Sequence, residues 1–107
     1  MVEIRQTPEY EQWFGGLRDR MAKAKIDIRI RRLSLGNQGE VAPIGDGLSE
    51  LKIDYGPGYR VYFLQHRGSY VLLLAGGDKA SQVKDIRKAK VLALRYLESV
   101  SYTHLRA

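Results

Sequence analysis

The sequence predicts an α+β fold: a helical hairpin packed on one face of a small, twisted, mainly antiparallel sheet, with a further helix at the C-terminal end. Three observations carry this expectation. Apolar residues over 7–35 recur with a helical period; residues 40–75 switch to strand-like alternation punctuated by glycine-rich turns; and residues 81–99 return to a helical period. The order read from these segments is β-α-α-β-β-β-β-α.

Val2 to Arg5 is short and compatible with a strand. Thr7-Pro8-Glu9 marks a helix start, with Thr7 as cap, Pro8 at the first helical position, and Glu9 and Glu11 at the positive end of the dipole. Tyr10, Trp13, Phe14, Leu17 and Met21 then fall on one helical stripe. Gly15-Gly16 interrupts it, at about 1 kcal/mol per glycine relative to alanine, and predicts a bend. Ile26, Ile28 and Ile30 alternate with charged residues as a strand would, yet Ala22, Ile26, Ile30 and Leu33 also form a helical stripe. The helix formers of Met21 to Lys25 favour a helix over 19–35, ended by Gly36-Asn37.

Beyond Gly39 the period changes. Glu40 to Ile44 predicts a short strand closed by Gly45-Asp46-Gly47. Residues 48–55 alternate, with Leu51 and Ile53 on one face and Glu50, Lys52 and Asp54 on the other. Tyr55-Gly56-Pro57-Gly58 is a turn, and residues 59–65 form the next strand, with Arg60 and Tyr62 opposite Val61 and Phe63. After a turn at 66–69, Tyr70 to Ala75 is apolar on both faces, as in a central strand covered on both sides. Gly76-Gly77-Asp78-Lys79 is expected to leave the sheet. The last helix, 81–99, turns Val83, Ile86, Ala89, Ala93 and Leu97 inward. Residues 1–99 thus form one domain, and 100–107, which show no period, are expected to be a frayed tail. The sheet's second face, or its open end, is left for a ligand.

The 107 residues suffice for one core and 44% of them are hydrophobic, which excludes global disorder. With no cysteine there is no disulfide framework, thiolate zinc site or cysteine nucleophile. The longest apolar run, Tyr70 to Ala75, is too short to span a bilayer, and the first residues lack a secretory pattern, so a cytoplasmic protein without membrane association is expected. Eighteen basic residues against twelve acidic give a net charge of +6, which suits a polyanionic or acidic partner. The cations cluster. Arg18, Arg20, Lys23, Lys25, Arg29, Arg31 and Arg32 form one group, and Lys84, Arg87, Lys88 and Lys90 another. Such clusters are either solvated helix faces or a surface for RNA, DNA or an acidic partner segment.

No phosphate-binding loop, nucleophile elbow or zinc-protease motif is present. His66 falls in a turn and His104 in the expected tail, so the two are not expected to converge as an acid–base pair; the acidic residues lack metal-ligand spacing, and no cofactor is expected. What remains is a set of strand-borne cations. In a meander Lys52, Arg60 and Lys79 converge. The competing reading is cross-strand pairing of Lys52 or Arg60 with Glu50 or Asp54.

The run Gly47-Leu48-Ser49-Glu50-Leu51-Lys52-Ile53-Asp54-Tyr55-Gly56-Pro57-Gly58-Tyr59-Arg60-Val61-Tyr62-Phe63 resembles the RelE/ParE toxin superfamily. Leu73-Leu74-Ala75-Gly76-Gly77-Asp78-Lys79-Ala80-Ser81-Gln82 and Arg32-Leu33-Ser34-Leu35-Gly36-Asn37 extend the resemblance to its HigB-like branch, the addiction module killer proteins. It covers roughly residues 4–97. The resemblance implies a helical hairpin on a small antiparallel sheet and the toxin of a type II toxin–antitoxin pair. It further implies a metal-independent, ribosome-dependent mRNA endoribonuclease in which a ribose 2′-OH attacks the adjacent phosphate. Its catalytic positions map onto Lys52, Arg60, Lys79 and Asp78. The basic residues Arg18, Arg20, Lys23, Lys25, Arg29, Arg31, Arg32, Lys84 and Lys88, with Tyr62, are then expected at the RNA or ribosome. The implied partners are the ribosome with its mRNA and a cognate antitoxin, a neighbouring helix-turn-helix protein. The chain departs from many RelE toxins in that Tyr96 and Tyr102 lie in no matching motif. The alternatives are a ParE-like inhibitor of a DNA topoisomerase acting by protein contact, and a domain that binds RNA or antitoxin without cleaving.

Overall fold

The computed structural model describes residues 1–66 and 69–106, with side chains described as far as residue 97. The elements run β1 (Glu3–Gln6), α1 (Pro8–Gly15), α2 (Arg20–Ser34), β2 (Val41–Gly45), β3 (Leu48–Ile53), β4 (Tyr59–His66), β5 (Tyr70–Asp78) and α3 (Gln82–Arg106). The five strands form one mixed sheet in the order β1-β5-β4-β3-β2. β2, β3, β4 and β5 are a continuous antiparallel meander, and β1 adds in parallel to the far side of β5. The α+β class and the order of elements follow the sequence reading.

The sheet is covered on both faces. Against one lie α1 and α2, whose Tyr10, Ile26, Ile30 and Leu33 pack on Leu51, Ile53, Val61, Phe63, Val71 and Leu73. Against the other lies α3, whose Ala89, Leu92 and Ala93 pack on Leu48, Tyr62, Leu64, Tyr70, Leu72, Leu74 and Ala75. Each fully buried aliphatic or aromatic side chain contributes about 1.5–3 kcal/mol. β5 is accordingly apolar on both faces, as its composition requires. The second face is not open to a ligand, because α3 occupies it; only its end beyond the first turn of α3 remains free.

Three local expectations are corrected. Gly15-Gly16 ends α1 instead of bending it: Gly16 caps α1, and Asp19 starts a new helix by accepting from the backbone N–H groups of Met21 and Ala22. Met21 therefore leaves the α1 stripe and is 56% exposed. Gly76 and Gly77 remain in β5, paired with Val61 and Arg60. Finally, Val83 and Leu97 are 68% and 38% exposed. The inward positions at the start of α3 are polar: Ser81 and Asp85 approach Gly77, and Gln82 reaches Glu50. Farther along, Tyr96 takes the inward position next to Leu97.

The helix α3 extends beyond Ser99 as far as Arg106. The side chains of the expected tail, 100–107, and the centre of the turn at 66–69 lie outside the described residues.

One irregularity sets the face of everything downstream of it. Tyr62 pairs with Ala75 and Phe63 with Leu73, so Leu74 is a bulge in β5. Leu74 and Ala75 consequently both join the α3 side. Gly76 then faces Trp13 of α1 and Gly77 faces Asp85 of α3. Thr7 secures the bulge: its hydroxyl donates to the Leu74 carbonyl at 2.6 Å while accepting from the Tyr10 N–H at 3.0 Å.

Candidate functional site

Beyond the start of α3, the uncovered end of the sheet forms an open cleft of about 350 Å³. Glu40, Lys52, Asp54, Gly56, Pro57, Gly58, Arg60 and Lys79 line it. The register explains the gathering. Lys52 lies directly opposite Arg60, and Arg60 directly opposite Gly77, giving one row across β3, β4 and β5. Because Gly77 carries no side chain, Ser81 and Asp85 descend onto the sheet there, and the chain leaves β5 through Asp78 to present Lys79. The turn before β4 builds a wall. Gly56 and Gly58 adopt φ of 56° and 81°, a left-handed conformation that favours glycine.

Lys52 and Arg60 are like charges at directly opposed positions, an unfavourable arrangement in a sheet unless something negative lies between or behind them. Behind them is Glu50, whose carboxylate is 3% exposed as a residue. Its Oε1 lies 2.8 Å from Arg60 Nε and accepts from Gln82 Nε2 at 2.7 Å. The Arg60 Nε–H is not aimed along the short line to Oε1, so this contact is an ion pair without a well-directed hydrogen bond. Arg60 Nη1 donates to the carbonyls of Gly58 at 3.1 Å and Tyr59 at 3.4 Å. Cross-strand pairing of Arg60 with Glu50 and convergence of Arg60 with Lys52 and Lys79 thus coexist. Among the described residues, Lys52 and Lys79 take part in no ion pair.

Asp78 sits beside this row but not in the cleft lining. Its Oδ1 accepts from the Ser81 N–H at 3.1 Å and lies 3.2 Å from Ser81 Oγ, so it caps the approach to α3. Ser81 Oγ also contacts Asp85 Oδ2. Tyr62 is corrected outright: expected at an RNA surface, it is fully buried beneath α3. Burial, reinforced by the nearby Glu50 and Asp85 carboxylates, pushes its hydroxyl well above the usual tyrosine range, so it stays neutral.

The basic residues of α2 divide. Arg29 is a clamp, its Nη1 donating to the Lys52 carbonyl at 2.6 Å and its Nη2 to the Glu40 carbonyl at 3.3 Å. It thereby fixes the backbone behind Lys52. Lys25, Arg29 and Arg32, with Ile28, Ile53 and Asp54, line a second hollow of about 320 Å³, and Asp54 borders both hollows. Lys25 Nζ lies 5.4 Å from the centre of the Tyr55 ring, and Lys23 Nζ 5.5 Å from that of Phe14. Arg18, Arg20 and Arg31 are exposed. On α3, Lys84 and Lys88 are exposed, and Lys88 borders a separate groove with Glu9, Arg87 and Arg95.

The structure therefore brings together Lys52, Arg60 and Lys79, places Lys25, Arg29 and Arg32 of α2 on a hollow that shares Asp54 with their cleft, and leaves Lys88 of α3 on a separate groove. Sequence reasoning offered Glu50 as a partner of Arg60 only as the alternative to convergence, and missed Gln82. Glu50 had a signal, since it alternates onto the face of Lys52; Gln82 had none. Among the described residues, no group of three histidine or acidic side chains is placed to hold a metal ion. No described helix is long and apolar enough to cross a membrane.

The chain matches no family model. Over 92 residues it is 48% identical to a protein of Haemophilus influenzae described as an uncharacterized protein, a match covering 86% of this chain and 93% of that one.

Proposed function

We propose that this chain, which belongs to one family with the Haemophilus influenzae protein, is a HigB-like RelE/ParE toxin of a type II toxin–antitoxin pair that cleaves ribosome-bound mRNA. The observation that carries the reading is the row of Lys52 opposite Arg60, with Lys79 on the same cleft at an uncovered sheet end. Like charges held this close favour an anion between them, and a phosphodiester supplies one.

In the proposed reaction the ribose 2′-oxygen attacks the adjacent phosphorus as its proton passes to a base. The bond to the 5′-oxygen breaks and that oxygen takes a proton, leaving a 2′,3′-cyclic phosphate and a 5′-hydroxyl. Negative charge grows on the non-bridging oxygens, and a fixed guanidinium stabilises that charge more than it stabilises the ground state. Arg60 holds this position. Lys52 and Lys79, on either side of it, carry the proton transfers. Asp78 serves by shaping the turn that delivers Lys79. The cations of α2 bordering the second hollow bind the flanking RNA or the ribosome, and a helix-turn-helix antitoxin restrains the toxin in the cytoplasm.

The test separates chemistry from folding. Arg60→Ala is a poor first variant, because it strands the buried Glu50 carboxylate, and breaking such a pair costs about 3–5 kcal/mol. Lys52→Ala and Lys79→Ala break no ion pair. Each is expected to slow ribosome-dependent mRNA cleavage by about 10²-fold or more, the range of a lost proton-transfer group, with melting unchanged. Primer extension on induced cells reads the cleavage, and a gyrase supercoiling assay runs in parallel. Wild-type cleavage rates in both variants would remove the proposed site, and inhibition of supercoiling without mRNA cleavage would favour the ParE-like reading.

A further inference from the structure

We propose that Glu50 is a positioning residue that, held by Gln82 at the start of α3, fixes the guanidinium of Arg60 in the cleft; this rests on the nuclease reading for its effect on rate.

A buried carboxylate is costly unless it is paired, so its partners define its role. Glu50 has two, and both meet the same oxygen: Arg60 Nε lies 2.8 Å and Gln82 Nε2 2.7 Å from Oε1. Glu50 is absent from the cleft lining, whereas Arg60 belongs to it. The carboxylate thus lies behind the guanidinium. Electrostatics gives the pair its use. Lys52, directly across from Arg60, repels it, and a freely rotating arginine would swing toward solvent. The Glu50 charge opposes that swing from behind, while the Gly58 and Tyr59 carbonyls hold Nη1. Nη2 donates to nothing among the described residues. The side chain is consequently anchored at Nε and Nη1, with Nη2 left for a phosphate oxygen.

Gln82 extends the support to a second element. It is the first residue of α3, and α3 can lie this close only because Gly77 has no Cβ; one placed there would fall 1.8 Å from Asp85 Oδ2. Glu50 is therefore gripped from the helix above and from the strand beside it. Pre-organisation of this kind matters because a displacement near 1 Å in a reacting group costs on the order of 10² in rate.

The experiment uses Glu50→Gln in the full chain, which keeps the shape and removes the charge. The Nε–Cζ rotation of Arg60, measured by ¹⁵N NMR without RNA, is expected to be slow in the wild type and fast in Glu50→Gln. In ribosome-dependent cleavage, kcat is expected to fall about 10–100-fold with KM little changed. In an Arg60→Lys background, Glu50→Gln is expected to add less than about 3-fold, since the two act as one unit. Should Glu50→Gln fail to fold, Gln82→Ala removes one grip and keeps the charge. It is then expected to speed the Arg60 rotation and lower kcat about 3–10-fold, a smaller loss of positioning. A wild type that cleaves nothing, with a Glu50-dependent Arg60 rotation, would remove the nuclease reading and leave the positioning intact. Unchanged rotation in the folded variant, or rotation and kcat both unmoved in Gln82→Ala, would overturn the proposal.

Discussion

Gly76→Ala tests whether the Leu74 bulge sets the packing of the first helix. A Cβ at Gly76 would sit 2.1 Å from Trp13 Cε3, 2.3 Å from Cζ3 and 2.4 Å from Cδ2. Ordinary contact begins at 3.4 Å, so the shortfall from 2.1 Å, about 1.3 Å, is the distance the ring must retreat. The strand cannot yield instead, because Gly76 is paired with Val61 on β4. Nor is the ring free on its own side: Tyr10 and Tyr59 lie 5.7 Å and 6.3 Å from it, centroid to centroid. Overpacking of this kind costs about 1–3 kcal/mol. At about 2 kcal/mol, and 4–8 °C per kcal/mol for a domain of this size, the melting temperature should fall by roughly 8–16 °C. Trp13 is the only tryptophan in the chain, so its emission reports the displaced ring and should shift to the red. In a Trp13→Leu background, melting followed by circular dichroism should show a much smaller penalty for Gly76→Ala, because the clash is gone. A single variant melting within about 2 °C of wild type, with unchanged emission, would show that Gly76 does not face Trp13.

Thr7→Ala removes both the cap of α1 and the donor to the Leu74 carbonyl at the bulge, and should cost about 1–3 kcal/mol in urea unfolding. The Tyr55 hydroxyl, with the Met21 and Ala22 N–H groups, holds the Asp19 carboxyl below its usual range, the tyrosine first among them. Stability from this source is present above the unfolded pKa and is lost as the pH falls through the lower, folded value. Tyr55→Phe should therefore move the Asp19 pKa part of the way back up in a ¹³C NMR titration, the two backbone bonds remaining. Binding to single-stranded RNA should weaken with salt at a log–log slope of about −2 for the three cleft cations, and Lys52→Ala should reduce the slope by about 0.7.

The α+β class, the order of elements and the faces of β3 and β4 are legible in the sequence alone. Those features are local: an alternation of period two or three to four residues is written in consecutive residues, and turn glycines mark its ends. Lys52 and Arg60 were legible for the same reason, since each is out of phase with the apolar residues around it. Of the four positions that the resemblance implies, Lys52, Arg60 and Lys79 line the cleft and Asp78 does not. The remaining features depend on contacts between residues distant in the chain. Alternation places Tyr62 opposite Val61, but only the seating of α3 makes that face interior and buries it. A bulge shifts every later residue of β5 to the other face, and neither Leu74 nor its neighbours announce one. Arg29 reads as a free cation, and Arg60 stays open between convergence with Lys52 and pairing with Glu50 or Asp54, because a sequence gives their charge and not their distance to an acceptor. Folding ties the first to two carbonyls and the second to Glu50, a carboxylate buried by a helix that begins 32 residues later.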